Sequence, residues 1–172
     1  MKRLLVTMLV ALLLLSGFVP SLAVAAAPPG PTIVDVALAV NAETGEFSTL
    51  IAALLAADPA VLATLGGNGQ FTVFAPTDAA FAELGLNAGN IGDLDQGFLT
   101  QVLLYHVARG RRNSSAVLGS SRIRMMQGGF LFQSGGVLTD NLGRTSNIVI
   151  TDVPAANGII HAIDQVVLPF AP

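Results

Sequence analysis

Two apolar runs near the C-terminus, NIVITDV (147–153) and IIHAIDQVVL (159–168), are separated only by the five residues PAANG. Both are rich in the β-branched residues that suit a pleated, buried strand. So short a gap leaves them only an antiparallel hairpin, since a parallel return needs a crossover of roughly a dozen residues or more. Asn157-Gly158 takes positive φ readily, so the tight turn is expected at that pair, with Asp152 hydrogen-bonded within it. If Val153 pairs with Ile159, Asp152 faces Ile160 and Asp164 faces Ile148.

The segment before this hairpin also reads as strands. RIRMM (122–126) alternates Arg122 and Arg124 with Ile123 and Met125, Gly128-Gly129 signals a two-residue hairpin into FLFQ, and Gly135-Gly136 turns the chain again. Further upstream the period changes. Phe47, Leu50, Ile51, Leu54 and Leu55 recur at helical spacing, and Asp58-Pro59 ends that helix while capping a shorter one that stops at Gly66-Gly67. FTVFA (71–75) is a short buried strand, after which Thr77 and Asp78 are placed to satisfy a helix start. A last helix is expected over about 95–107, with Phe98, Leu99, Val102, Leu103 and His106 on one stripe. Helices first and strands after indicate an α+β fold.

Residues 1–27 stand apart. Lys2 and Arg3, an apolar run from Leu4 to Val19 and small residues at positions 23–27 form the pattern of a secretory signal peptide. Residues 28–31 are a stiff proline-rich leader, and 32–172 form one domain. No second spanning segment follows, so the expected product is secreted, extracellular or periplasmic, with cell-surface association left open. There is no cysteine, which excludes a disulfide framework, a thiolate metal site and a bacterial lipoprotein anchor. Without Lys2 and Arg3, six basic residues face eleven acidic ones, a net charge of about −5 that argues against nucleic acid.

Catalytic signatures are sparse. His106 and His161 are 55 residues apart with no local metal-ligand spacing, no serine sits in a nucleophile elbow, and a P-loop would need a lysine beyond position 2. Asp93-Leu94-Asp95 opens like a calcium loop, but Gly97 and Phe98 break the pattern. In the assumed register Asp152 and Asp164 lie roughly 13 Å apart. That exceeds the roughly 6.5–9.5 Å of an inverting glycosidase pair. No enzyme activity, metal or cofactor is expected.

FTVFAPTDAAF (71–81), LLYHVARG (103–110) and IVITDVPAANGIIHAIDQVVLP (148–169) resemble the three signature blocks of the fasciclin domain family, in the family's order and spacing. The likeness extends from Thr32 to Pro169. It implies a compact β-sandwich wedge with several helices packed around it, and a non-catalytic adhesion or extracellular-matrix module. Its partner would be a cell-surface or matrix protein or an anionic polysaccharide. It also implies a partner-binding role for Tyr105 and His106, a region linked to receptor contact in animal adhesion proteins. One departure is Ala108-Arg109-Gly110, where relatives often have a proline before the glycine.

From the residues alone, His106 and His161 are expected to be buried and hydrogen-bonded. Asn157, Gly158, Asp152, Thr77 and Asp78 are expected to serve the fold. Arg109, Arg111, Arg112, Arg122 and Arg124 fall within one stretch and are the candidate partner-binding face, suited to sulfate, carboxylate or phosphate groups. Asn113-Ser114-Ser115 in the same stretch is an N-glycosylation sequon. A second reading is a carrier of a small apolar ligand such as a carotenoid or lipid, in a groove formed by Met125, Met126, Phe130, Leu131 and Phe132.

Overall fold

The computed structural model describes residues 29–170; the expected signal peptide and the first leader proline lie outside them. The order is three helices, a strand, two helices and then strands, with one short helix among them. Helix α1 (Ile33–Thr44) starts at a capping box, in which Thr32 and Asp35 each accept from the other's backbone N–H, and ends at Gly45. Helix α2 (Ser48–Ala56) has no side-chain cap of its own. The Asp78 carboxylate supplies it, accepting from the N–H groups of Ser48 at 3.2 Å and Thr49 at 2.8 Å. Asp58 caps α3 (Pro59–Leu65), with the proline in the first turn. Thr77 caps α4 (Asp78–Ala82) through the N–H of Ala80. Asp78 thus satisfies a helix start, but that of α2, thirty residues upstream.

Strand β1 (Phe71–Pro76) is buried throughout, as a strand flanked on both sides must be. Helix α5 (Gln96–Tyr105) is shorter than its apolar stripe suggests. The chain leaves it at His106 and enters β2 (Val107–Arg109), whose residues pair antiparallel with β1. A short helix α6 (Ser114–Leu118), capped by Asn113, precedes β3 (Arg122–Arg124), β4 (Phe130–Ser134), β5 (Val137–Thr139), β6 (Thr145–Ala155) and β7 (Gly158–Ile163). Gly135-Gly136 forms the expected two-residue turn, since Ser134 pairs with Val137. Gly128-Gly129 does not: Arg124 pairs with Phe130, leaving a five-residue loop.

The expected sandwich is one seven-stranded sheet in the order β2-β1-β7-β6-β5-β4-β3. An Ala108–Met125 bridge joins the region beyond β3 back to β2, so the sheet nearly closes into a barrel-like wedge. Two cores result. Helices α1 to α5 pack on β1, β2 and β7 around Phe47, Leu50, Val61, Val73, Leu103 and Ile160. Phe74, Tyr105, Ile123, Leu131, Leu138 and Ile163 fill the interior of the wedge.

The last hairpin differs from expectation in its turn and its register. Ala155 pairs with Gly158, which places Ala156 and Asn157 at the turn, and neither Asn157 nor Gly158 has positive φ. Gly158 is required by crowding instead: a Cβ there would lie 2.3 Å from the Phe71 carbonyl oxygen and 2.6 Å from Cδ1 of Ile33. Val153 pairs with Ile160 and Ile148 with Ile163, with two irregularities between them. Asp152, at φ 60°, sits at the second irregularity and makes no bond within the turn. Its carboxylate accepts from the Ser114 N–H and hydroxyl at the start of α6.

Candidate functional site

Tyr105 and His106 are inside the protein, 0% and 3% exposed. The Tyr105 hydroxyl donates to the Phe130 carbonyl at 2.6 Å, and burial raises its pKa to about 12. Nδ1 of His106 donates to the Val102 carbonyl at 2.8 Å, and Nε2 accepts from the Val167 N–H. Burial lowers its pKa to about 4, so the ring is neutral and tied at both nitrogens. The pair anchors α5 to the wedge, and neither side chain reaches a surface partner. His161, also fully buried, stacks on Phe74, accepts from the Asp152 N–H and donates through Nε2 to the Arg112 carbonyl.

Ser114, Asp152 and His161 therefore meet, but not as a catalytic triad. The serine hydroxyl donates to the carboxylate and has no base on it, while the histidine touches the aspartate only through its backbone. The hydrogen bonds from the Ser114 hydroxyl and N–H lower the Asp152 pKa. At Asp164 burial raises the pKa, but bonds from Asn147 and Ser146 outweigh it and the net shift is downward. Both acids are thus ionised at neutral pH, and neither can act as a general acid. Among the described residues no group of three or more His, Asp or Glu side chains is placed to hold a metal ion.

The arginines divide. Chain direction changes at Gly110, whose φ of 87° favours glycine. The loop beyond it is fastened to buried groups: the Thr72 hydroxyl donates to Gly110 and accepts from the Arg112 N–H, and His161 holds the Arg112 carbonyl. The Arg111 guanidinium turns onto the last hairpin and donates to the Ala155 and Gly158 carbonyls, so it is a structural clamp. Arg122 lies over the Phe130 ring, 4.8 Å from its centroid. Arg109, Arg112 and Arg124 converge on one cleft of about 380 Å³, completed by Met125, Met126 and Gly128.

No carboxylate pairs with these three. Among the described residues the one ion pair is Arg144 with Asp140, elsewhere in the fold. Moreover, Nε of Arg112 is buried without a hydrogen-bond partner, the single side-chain atom so placed among the described residues. A buried donor left unsatisfied costs about 1–3 kcal/mol. The cleft thus gathers three arginines that have no acidic partner, beside a fastened loop.

The groove expected for an apolar ligand does not form from its proposed residues. Leu131 and Met125 point into the core at 0% and 2% exposure, whereas Phe132, on the opposite face of β4, is 44% exposed.

The wedge, its element order and its helix packing match a known architecture. The family model for the fasciclin domain matches residues 45–169, most of the chain. The chain belongs to the fasciclin domain family. Protein sll1483 of Synechocystis sp. is 38% identical over 152 residues, covering 84% of this chain and 77% of that one. Cell surface glycolipoprotein MPB83 of Mycobacterium bovis is 36% identical over 128 residues, covering 72% of this chain and 56% of that one. Among solved structures, the FAS1 domain pair of the insect cell adhesion molecule Fasciclin I aligns with a TM-score of 0.59 at 22% identity, over 73% of this chain. This fasciclin domain spans 46% of that two-domain chain. Among the described residues no helix is long and apolar enough to cross a membrane.

Helix α1, strand β2, helix α6, strand β5 and the diversion of Arg111 have no counterpart in the features expected from the sequence. The Thr72 hydroxyl, which fastens the loop, carries no local signal either, since it appears only as one of five residues in a buried strand.

Proposed function

We propose that this protein is an exported, non-catalytic adhesion or matrix-interaction module that engages anionic groups of a surface or matrix polymer through Arg109, Arg112 and Arg124. Residues 1–27 direct export and are removed, and the domain acts outside the cytoplasm or at the cell surface. Family membership supports the class, as do a relative named for the cell surface and a structural neighbour named as a cell adhesion molecule. The observation that carries the site is the convergence of three arginines without a carboxylate partner.

The test is binding to acidic polysaccharides and cell-surface extract at low and raised salt, using the protein and an Arg109→Ala/Arg124→Ala variant. Both side chains are exposed, so the variant retains its core. Binding that weakens with salt and falls at least about tenfold in the variant is expected. Salt-independent binding, or equal binding by both proteins, removes the arginine site.

A further inference from the structure

The cleft does not end at Arg124. Arg124 pairs across the sheet with Phe130, and Arg122 with Phe132, while Ile123 and Leu131 between them point into the core at 0% exposure. Directly opposed side chains share a face, so two arginines and two phenylalanines stand together on the outside of the wedge. Arg122 reaches diagonally to cover Phe130 rather than its direct partner Phe132. The Phe132 ring is therefore left bare, 44% exposed, on a strip that runs through Arg122 and Phe130 to Arg124 and the cleft.

A bare phenyl face beside unpaired guanidinium groups matches one kind of ligand more closely than others. A free sulfate or phosphate uses the cations but has no use for the ring. An apolar carrier ligand uses the ring but leaves three cations unpaired. A sugar acid uses both: the C–H face of a pyranose packs on an aromatic ring, and its carboxylate takes a guanidinium fork. A single-stranded nucleic acid stacks successive bases on several aromatic side chains, whereas on this strip Arg122 covers Phe130 and leaves Phe132 as the free ring.

We infer that the strip from Phe132 to the arginine cleft is a binding site for an acidic polysaccharide built of hexuronate units, with Phe132 as the stacking platform and Arg109, Arg112 and Arg124 holding the carboxylates. This rests on the cleft reading above and deepens it by naming the ligand class.

The experiment measures binding of two probes, oligogalacturonate and inorganic polyphosphate, to the protein and to Phe132→Ala, Phe132→Trp and Arg109→Ala/Arg124→Ala variants, with thermal melts to verify folding. Phe132→Ala should weaken oligogalacturonate binding about tenfold and leave polyphosphate within about twofold, a loss typical of one aromatic contact. Phe132→Trp should retain oligogalacturonate binding, and the double arginine variant should lose both probes. The platform is overturned if Phe132→Ala leaves oligogalacturonate unchanged or weakens both probes alike. Tighter binding of a single-stranded oligonucleotide than of oligogalacturonate would also overturn it. Failure of the cleft reading looks different: the arginine variant then keeps its affinity whatever Phe132 does.

Discussion

Replacing Asn157 with alanine should destabilise the domain far more than its position in a hairpin turn suggests. The side chain is fully buried and joins three separate elements. Oδ1 accepts from the Ile33 N–H at 2.8 Å, at the first residue of α1. Nδ2 donates to the Leu65 carbonyl at 2.6 Å and the Gly67 carbonyl at 2.8 Å, where α3 ends. Each bond contributes about 1 kcal/mol net, and a buried group left without its partner costs about 1–3 kcal/mol. Ile33 and Leu65 are only 3% and 4% exposed, so water cannot readily replace the amide. The loss should be about 3–5 kcal/mol. With a urea slope of about 2 kcal/mol per molar, the unfolding midpoint should fall by roughly 2 M at unchanged slope. Asn157→Asp sharpens the test: the shape is kept, but two carbonyls then face a carboxylate oxygen instead of an amide donor. That variant should lose further stability as pH rises through the range where the new carboxyl ionises. A midpoint shift below about 0.5 M for Asn157→Ala, at unchanged slope, would refute the three-way staple.

Gly158→Ala should be at least as damaging, costing about 3 kcal/mol or more, because the new methyl meets the Phe71 backbone that pairs with it; a thermal melt close to that of the parent would contradict this. Asp78→Ala removes the acceptor for two N–H groups of α2 and should cost about 1–2 kcal/mol in urea unfolding, with Asp78→Asn recovering part of it. His106 binds its proton near pH 4 when folded and near 6.5 when unfolded, so its contribution is present above the unfolded value and lost as pH falls toward 4. That contribution is on the order of 3 kcal/mol, and NMR should find the ring neutral at pH 5; titration near pH 6.5 would refute its burial.

Local signals in the sequence led to local structure. The Phe47, Leu50 and Leu54 spacing, Asp58-Pro59, Thr77 and Gly135-Gly136 each formed the feature expected, because the forces involved act within a few residues, although Leu55, expected on the same apolar face, is 72% exposed. The misplaced features depend on distant neighbours. Gly158 is glycine on account of Phe71 and Ile33, not of its own turn, and Asp78 caps a helix that begins thirty residues earlier. Strand β2 was hidden because Val107 continues an apolar helical stripe, and only pairing with β1 draws it out of the helix. The arginine stretch was visible as a cluster of like charges. Its division was not, because the two carbonyls that hold Arg111 flank a turn more than forty residues away.

In the proposed function an acidic polymer docks at the cleft shared by Arg109, Arg112 and Arg124. The most direct measurement is an NMR titration of the protein with a short acidic oligosaccharide at low salt, following backbone amides and arginine Nε–H signals. One contiguous set of shifts is expected at Arg109, Arg112, Arg124, Met126 and Gly128, reversed by raised salt. Shifts centred instead on the exposed apolar residues Val149 and Ile150, or none near the cleft, would contradict it.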